Sequence, residues 1–69
     1  MEQKLSLLKI KGAMAEAGVN QIKLSELTNI SQRTISLKLN GLTDITVKEL
    51  TLFAKILKKD VSYFFDKVN

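Results

Sequence analysis

Between Gln21 and Gly41 the chain reads QIKLSELTNISQRTISLKLNG, and this stretch leaves few ways to fold. It predicts two short helices joined by a tight turn. Leu24 and Leu27 give the first helix an apolar side. Asn29 tolerates a left-handed backbone better than other residues with a side chain, so it suits a helix end and a chain reversal. Ile30 fills the corner, and Ser31 is a good N-cap for the second helix. Ile35 and Leu39, four apart, share one face of that helix, while Gln32, Arg33, Ser36 and Leu37 point elsewhere. A short helix with an Ile/Leu inner face and Gln, Arg and Ser outside presents polar side chains to a polar partner. Gln and Arg carry the two-pronged hydrogen-bonding geometry that suits base edges.

This segment resembles the helix-turn-helix of the lambda-repressor-like phage and bacterial regulators. That family's pattern is a Gln opening the first helix, a small residue four later, a Gly turn and an apolar residue. A Ser and a recognition helix ending in Asn-Gly follow. Gln21, Ser25, Asn29, Ile30, Ser31, Ile35, Asn40 and Gly41 fill those slots. Two positions depart from it. Asn29 replaces the customary Gly, and Lys38 stands where an apolar residue is usual, so Leu39 must carry more of the packing. The alkyl stem of Lys38 can lie along a core. The resemblance covers nearly the whole chain and implies an all-α, compact five-helix domain over residues 1–69. It also implies double-stranded DNA as partner. The helix at 32–40 would then lie in the major groove, with Gln32, Arg33, Ser36 and Leu37 reading bases. Arg33 as a base reader competes with Arg33 as a phosphate clamp or a solvated charge. Leu37 on the outer face suits a thymine methyl. Asn20, Gln21, Ser31, Lys38, Asn40 and Thr43 are the residues expected against phosphates.

The flanks agree with a helical chain. The 69 residues contain no Pro and only three Gly, which favours helices throughout. Residues 1–17 read as helix 1, with Leu7, Ile10, Met14 and Ala17 as its buried stripe. Gly12 in mid-helix is costly unless a neighbouring helix approaches there, and Gly18 is suited to end the helix. Leu5 and Leu8 lie off the stripe. Helix 2 starts after the N-cap Asn20 and runs to about Thr28; its free N–H groups form an anion site. Residues 42–45 form a connector in which Asp44 has the wrong charge for a phosphate and should point away. Thr46 and Glu49 form a capping box, and Ile45 and Leu50 a hydrophobic staple, for helix 4. Leu50, Phe53, Ala54 and Leu57 form its stripe, and Lys55, Lys58 and Lys59 favour the negative end of the helix dipole. Asp60 caps a helix 5 expected from Val61 to about Lys67, in which at least one of Phe64 and Phe65 closes the core.

Composition narrows the chemistry. There is no Cys and no His, so disulfides, thiolate metal sites and the commonest general base are all missing. No acid–base pair has a supporting constellation around it, and the Gly residues form no phosphate loop, so neither an enzyme nor a cofactor is expected. The formal charge of +4 suits a polyanion partner. No apolar run reaches the roughly 18 residues of a membrane span and no signal peptide is visible, so a cytoplasmic location is expected.

Two functions remain. One is a sequence-specific transcriptional regulator of the phage repressor or Cro-like kind. The other is an antirepressor-type module that binds a sibling repressor and masks its DNA surface. The uncharged or basic outer face of Gln32, Arg33 and Ser36 favours DNA, since a masking protein would carry carboxylates there. One helix-turn-helix reads few base pairs, so a weak homodimer is expected. Leu5, Leu8, Tyr63, Phe64 and Val68 are its candidate surface, through the C-terminal helix with Phe64 or its neighbours central.

Overall fold

The computed structural model describes residues 2–68, with side chains from Lys4 to Asp66. Four α-helices carry the fold: α1 (Leu7–Ala17), α2 (Gln21–Thr28), α3 (Gln32–Leu39) and α4 (Val47–Leu57). A 3-10 turn follows at Val61–Phe64. Two short strands, β1 (Glu2–Leu5) and β2 (Phe65–Val68), pair antiparallel and bring the two ends of the chain together.

The strands correct the five-helix expectation. Helix 1 does not start at residue 1, because Ser6 takes an extended backbone and its hydroxyl caps the Lys9 N–H. The expected helix 5 closes after one 3-10 turn, where Asp60 caps Ser62 and the backbone straightens at Phe65. The register sets Leu5 against Phe65 and Lys4 against Asp66, so pairing satisfies backbone groups that a frayed terminal turn would leave to water.

The core is a single cluster with Phe53, Phe64, Ile10, Leu24, Ile35 and Leu39 fully enclosed at its centre. Helix α1 buries Ile10, Ala13 and Met14, whereas Ala17 of the expected stripe is exposed. On α2 Leu24 alone is buried, and Leu27 stays half exposed. The α4 stripe of Leu50, Phe53, Ala54 and Leu57 is buried as its periodicity requires. Phe64 is the aromatic that closes the core, and Phe65 packs on its rim.

All four helices end with the chain in the left-handed region, at Gly18, Asn29, Gly41 and Lys58. After α1, α3 and α4 the two following N–H groups reach back to the last turn in the Schellman pattern, for example Leu42 N–H to the Leu37 carbonyl at 2.9 Å. Asn29 and Lys58 adopt this conformation despite their side chains. Among the described residues, no helix is long and apolar enough to cross a membrane.

Candidate nucleic-acid interface

Helices α2 and α3 and the turn between them form the helix-turn-helix. Asn29 reverses the chain at φ 62°, and its N–H donates to the Ser25 carbonyl at 2.9 Å. Two side chains then lock the corner. The Ser25 hydroxyl donates to the Ile30 carbonyl. Thr28 Oγ1 accepts from the Ile30 N–H at 3.3 Å and donates to the Leu24 carbonyl at 2.7 Å. Backbone groups that the turn takes out of the helical ladder are thereby satisfied, and α3 leaves the corner in one direction.

Helix α3 is anchored by Ile35 and Leu39, both almost wholly inaccessible. Its rigid inner face fixes what the outer face shows. Gln32 and Arg33 are exposed at the first turn, and Ser36 and Leu37 one turn on are half-buried. The pairs 32/36 and 33/37 are four apart, so the four residues form two adjacent rows on one surface. Asn40 Nδ2 donates to Ser36 Oγ at 3.3 Å, which settles the Ser36 rotamer. Between Glu26 and Asp44 the chain carries no carboxylate, so no side chain on this helix repels an anion.

The residues expected against phosphates lie at helix ends. Asn20 Oδ1 accepts from the Lys23 N–H at 2.8 Å and caps α2, leaving its amide nitrogen and the adjoining Gln21 exposed. Ser31 caps α3 through Thr34 N–H at 3.2 Å and also donates to Thr34 Oγ1 at 2.8 Å. Asn40 and Thr43 are exposed just beyond α3. The first N–H groups of α2 and α3 have no partner within their helices, so each of these ends is an attractive place for negative charge.

Lys38 departs from its expected role. Its side chain is only 10% exposed, and its ammonium donates to the Asp44 carbonyl at 2.7 Å and pairs with Glu49 Oε1 at 2.8 Å. That ammonium is committed inside the protein, and a phosphate outside cannot claim it without breaking both contacts. Burial of the Glu49 carboxyl works to raise its pKa. The hydrogen bonds from Lys38 and Thr46, with the charge of Lys38, outweigh burial and hold it below its ordinary value.

Phe64 departs likewise. It is completely enclosed and is not an interface residue. Of the expected assembly surface, Leu8 (81% exposed) and Tyr63 (41%) remain outside, Leu5 packs against the core, and the Val68 side chain lies outside the described residues.

Sequence reasoning missed the Lys38–Glu49 pair. The signal was a Lys at an inward position of α3 followed, past a short loop, by the Glu of a capping box. It missed the Ser25 and Thr28 bonds too, since hydroxyl groups give no periodic pattern.

A family model described as Helix-turn-helix matches residues 10–64. No curated protein and no solved structure matches the chain.

Proposed function

From a chain that belongs to the lambda-repressor-like, Cro/C1-type helix-turn-helix family of DNA-binding regulatory domains, we propose a sequence-specific transcriptional regulator of the phage repressor or Cro-like kind. Helix α3 enters the major groove and α2 lies across the backbone. Gln32 and Arg33 read base edges, with Ser36 and Leu37 completing the reading surface. Asn20, Gln21, Ser31, Asn40 and Thr43 contact phosphates and set the register without reading sequence.

The observation that carries this reading is the outer face of α3. Gln32 and Arg33 stand free in solvent on a helix whose other side is locked by Ile35 and Leu39. Base recognition needs this combination, because a side chain reads an edge only when its backbone is held in place. The absence of carboxylates on this face speaks against a protein that masks a sibling repressor by mimicking DNA charge.

Two copies act together on a pseudo-palindromic site, because one domain contacts too few base pairs for selectivity at physiological salt. With Phe64 buried and no fifth α-helix among the described residues, the paired strands and the exposed Leu8 and Tyr63 replace the C-terminal helix as the pairing surface. Selection of bound sequences from a random duplex pool tests the reading. A conserved motif among the recovered duplexes supports it, and recovery without any enriched motif would refute it. Footprints covering a single half-site, with a monomer in sedimentation at high concentration, would refute the pairing.

A further inference from the structure

We infer that Lys38 and Glu49 form a positioning clamp that holds loop 41–45 against α3 for DNA contact; this deepens the DNA-binding reading and rests on it.

Three segments meet at this pair. Lys38 stands in the last turn of α3 with its ammonium turned toward the protein body. It donates to the Asp44 carbonyl at 2.7 Å, in the middle of the loop, and to Glu49 Oε1 at 2.8 Å, in the first turn of α4. The same Glu49 oxygen accepts the Thr46 N–H at 2.9 Å, and the Glu49 N–H donates to Thr46 Oγ1 at 3.1 Å. The end of the reading helix, the loop and the start of α4 thus share one node.

Other contacts fix the ends of the loop and not its middle: the Gly41 and Leu42 N–H groups reach back to the Lys38 and Leu37 carbonyls, and Ile45 packs against the core. Loop residues Gly41, Thr43, Asp44 and Ile45 line one side of a half-open pocket of about 150 Å³, with Leu5, Leu7 and Lys38 on the other. Among the described residues, the Lys38 bond is the hydrogen bond that reaches Asp44 from outside the loop. Thr43 and Asp44 are exposed, so apolar burial contributes little to fixing them.

The chemistry separates position from stability. Enclosing an ammonium and a carboxylate costs solvation that their attraction barely recovers, so replacing both with uncharged, well-packed residues is at least as good for stability. What an apolar residue cannot do is hold the Asp44 carbonyl. Lys38 is therefore a positioning residue. It orders the backbone beside Thr43 so that the loop meets a phosphate together with the base-reading face of α3.

The test uses the full chain with Lys38→Met, which nearly matches the side chain in volume, and the double variant Lys38→Met/Glu49→Gln, which leaves no lone charge. Wild type is first titrated with a duplex selected from a random pool. The double variant should keep the wild-type unfolding midpoint or exceed it, whereas Lys38→Met alone leaves Glu49 without its counter-charge and should unfold at a lower one. Each should bind that duplex about tenfold more weakly, the loss of roughly one charge-assisted contact, and by the same factor for every single-base variant of it. Backbone order parameters at Thr43, Asp44 and Ile45 should fall toward the flexible range, below about 0.6, while α3 stays near about 0.85. Unchanged affinity and unchanged loop order in both variants would overturn the inference. So would a double variant whose affinity falls only in step with a lowered midpoint, since that marks a structural pair. A wild type that binds no duplex is a different failure, seen before any variant is made, and it sinks the DNA reading together with the clamp.

Discussion

The Ser6 N–H donates to the Phe64 carbonyl at 2.7 Å, joining the residue before α1 to the last residue of the 3-10 turn. The bond sits where β1 ends and β2 begins, and continues the Leu5–Phe65 pairing. Ser6 also caps α1 through the Lys9 N–H. Lys9 in turn reaches across to Asp66 at 2.8 Å and to the Phe65 carbonyl at 3.3 Å. The chain is thus closed end to end, with the Phe64 ring sealed beneath the closure.

Phe64→Ala should cost about 3–5 kcal/mol, which in a domain of this size removes most of the folded population. Tyr63→Ala should cost much less, about 1 kcal/mol. Its half-exposed ring gives up an edge contact to Phe64 and a Lys59 ammonium 4.7 Å from its centre. Denaturant titration compares the two. Equal losses would mean that Phe64 is not the residue that closes the core.

Two backbone positions should respond in opposite directions to exchanging Gly and a side chain. Gly12 sits inside α1 with nothing within 4 Å of where a Cβ would stand. Gly12→Ala should therefore stabilise by about 0.5–1 kcal/mol. Lys58 ends α4 at φ 58°. Lys58→Gly should stabilise by about 1 kcal/mol through relief of the left-handed penalty. A thermal midpoint lowered by either substitution would contradict the assigned geometry.

These positions also mark how far the sequence could be read. Caps and stripes were legible, because Asn20, Ser31, Thr46–Glu49, Gly18, Asn29 and Gly41 act on their own neighbours in the chain. The outward residues of α3 were legible for the same reason, since periodicity alone decides which face Ile35 and Leu39 bury. The terminal strands were not, because β1 and β2 are formed by residues some sixty positions apart and neither has a length or pattern that excludes a helix. Phe64 and Phe65 were equivalent by sequence, and only the straightening of the backbone after the 3-10 turn sends one inward. Lys38 carried the expectation of a charged residue at a surface, and a partner on the next helix reversed it.

Acid should reveal the clamp. The Glu49 carboxyl is held below its ordinary value of 4.5, so the folded state binds its proton less readily than the unfolded chain does. The resulting stability is complete above pH 4.5 and is lost as pH falls through the lowered folded value. Glu49→Gln keeps an acceptor for the Thr46 cap but leaves the Lys38 ammonium without its counter-charge. Wild type should therefore be the more stable at pH 7, and its advantage should shrink as pH drops below 4.5. Denaturation midpoints of both chains across that range check this. An advantage that persists undiminished into strong acid would show that charge pairing is not its source.

Gln21→Ala should weaken binding to every duplex alike, because a contact at the α2 N-terminus positions the domain without reading bases. Competition among unrelated duplexes measures it. Losses that differ from one duplex to another would give Gln21 a reading role instead.

The central claim is that the outer face of α3 reads sequence, and Arg33→Ala tests it most directly. Wild type and variant are each titrated against a duplex selected from a random pool and against its single-base variants. The account predicts that Arg33→Ala loses about 1–3 kcal/mol on the selected duplex and ceases to discriminate at one base position, with preferences elsewhere intact. A loss of equal size on every duplex, with the pattern of preferences unchanged, would contradict it and make Arg33 a phosphate contact.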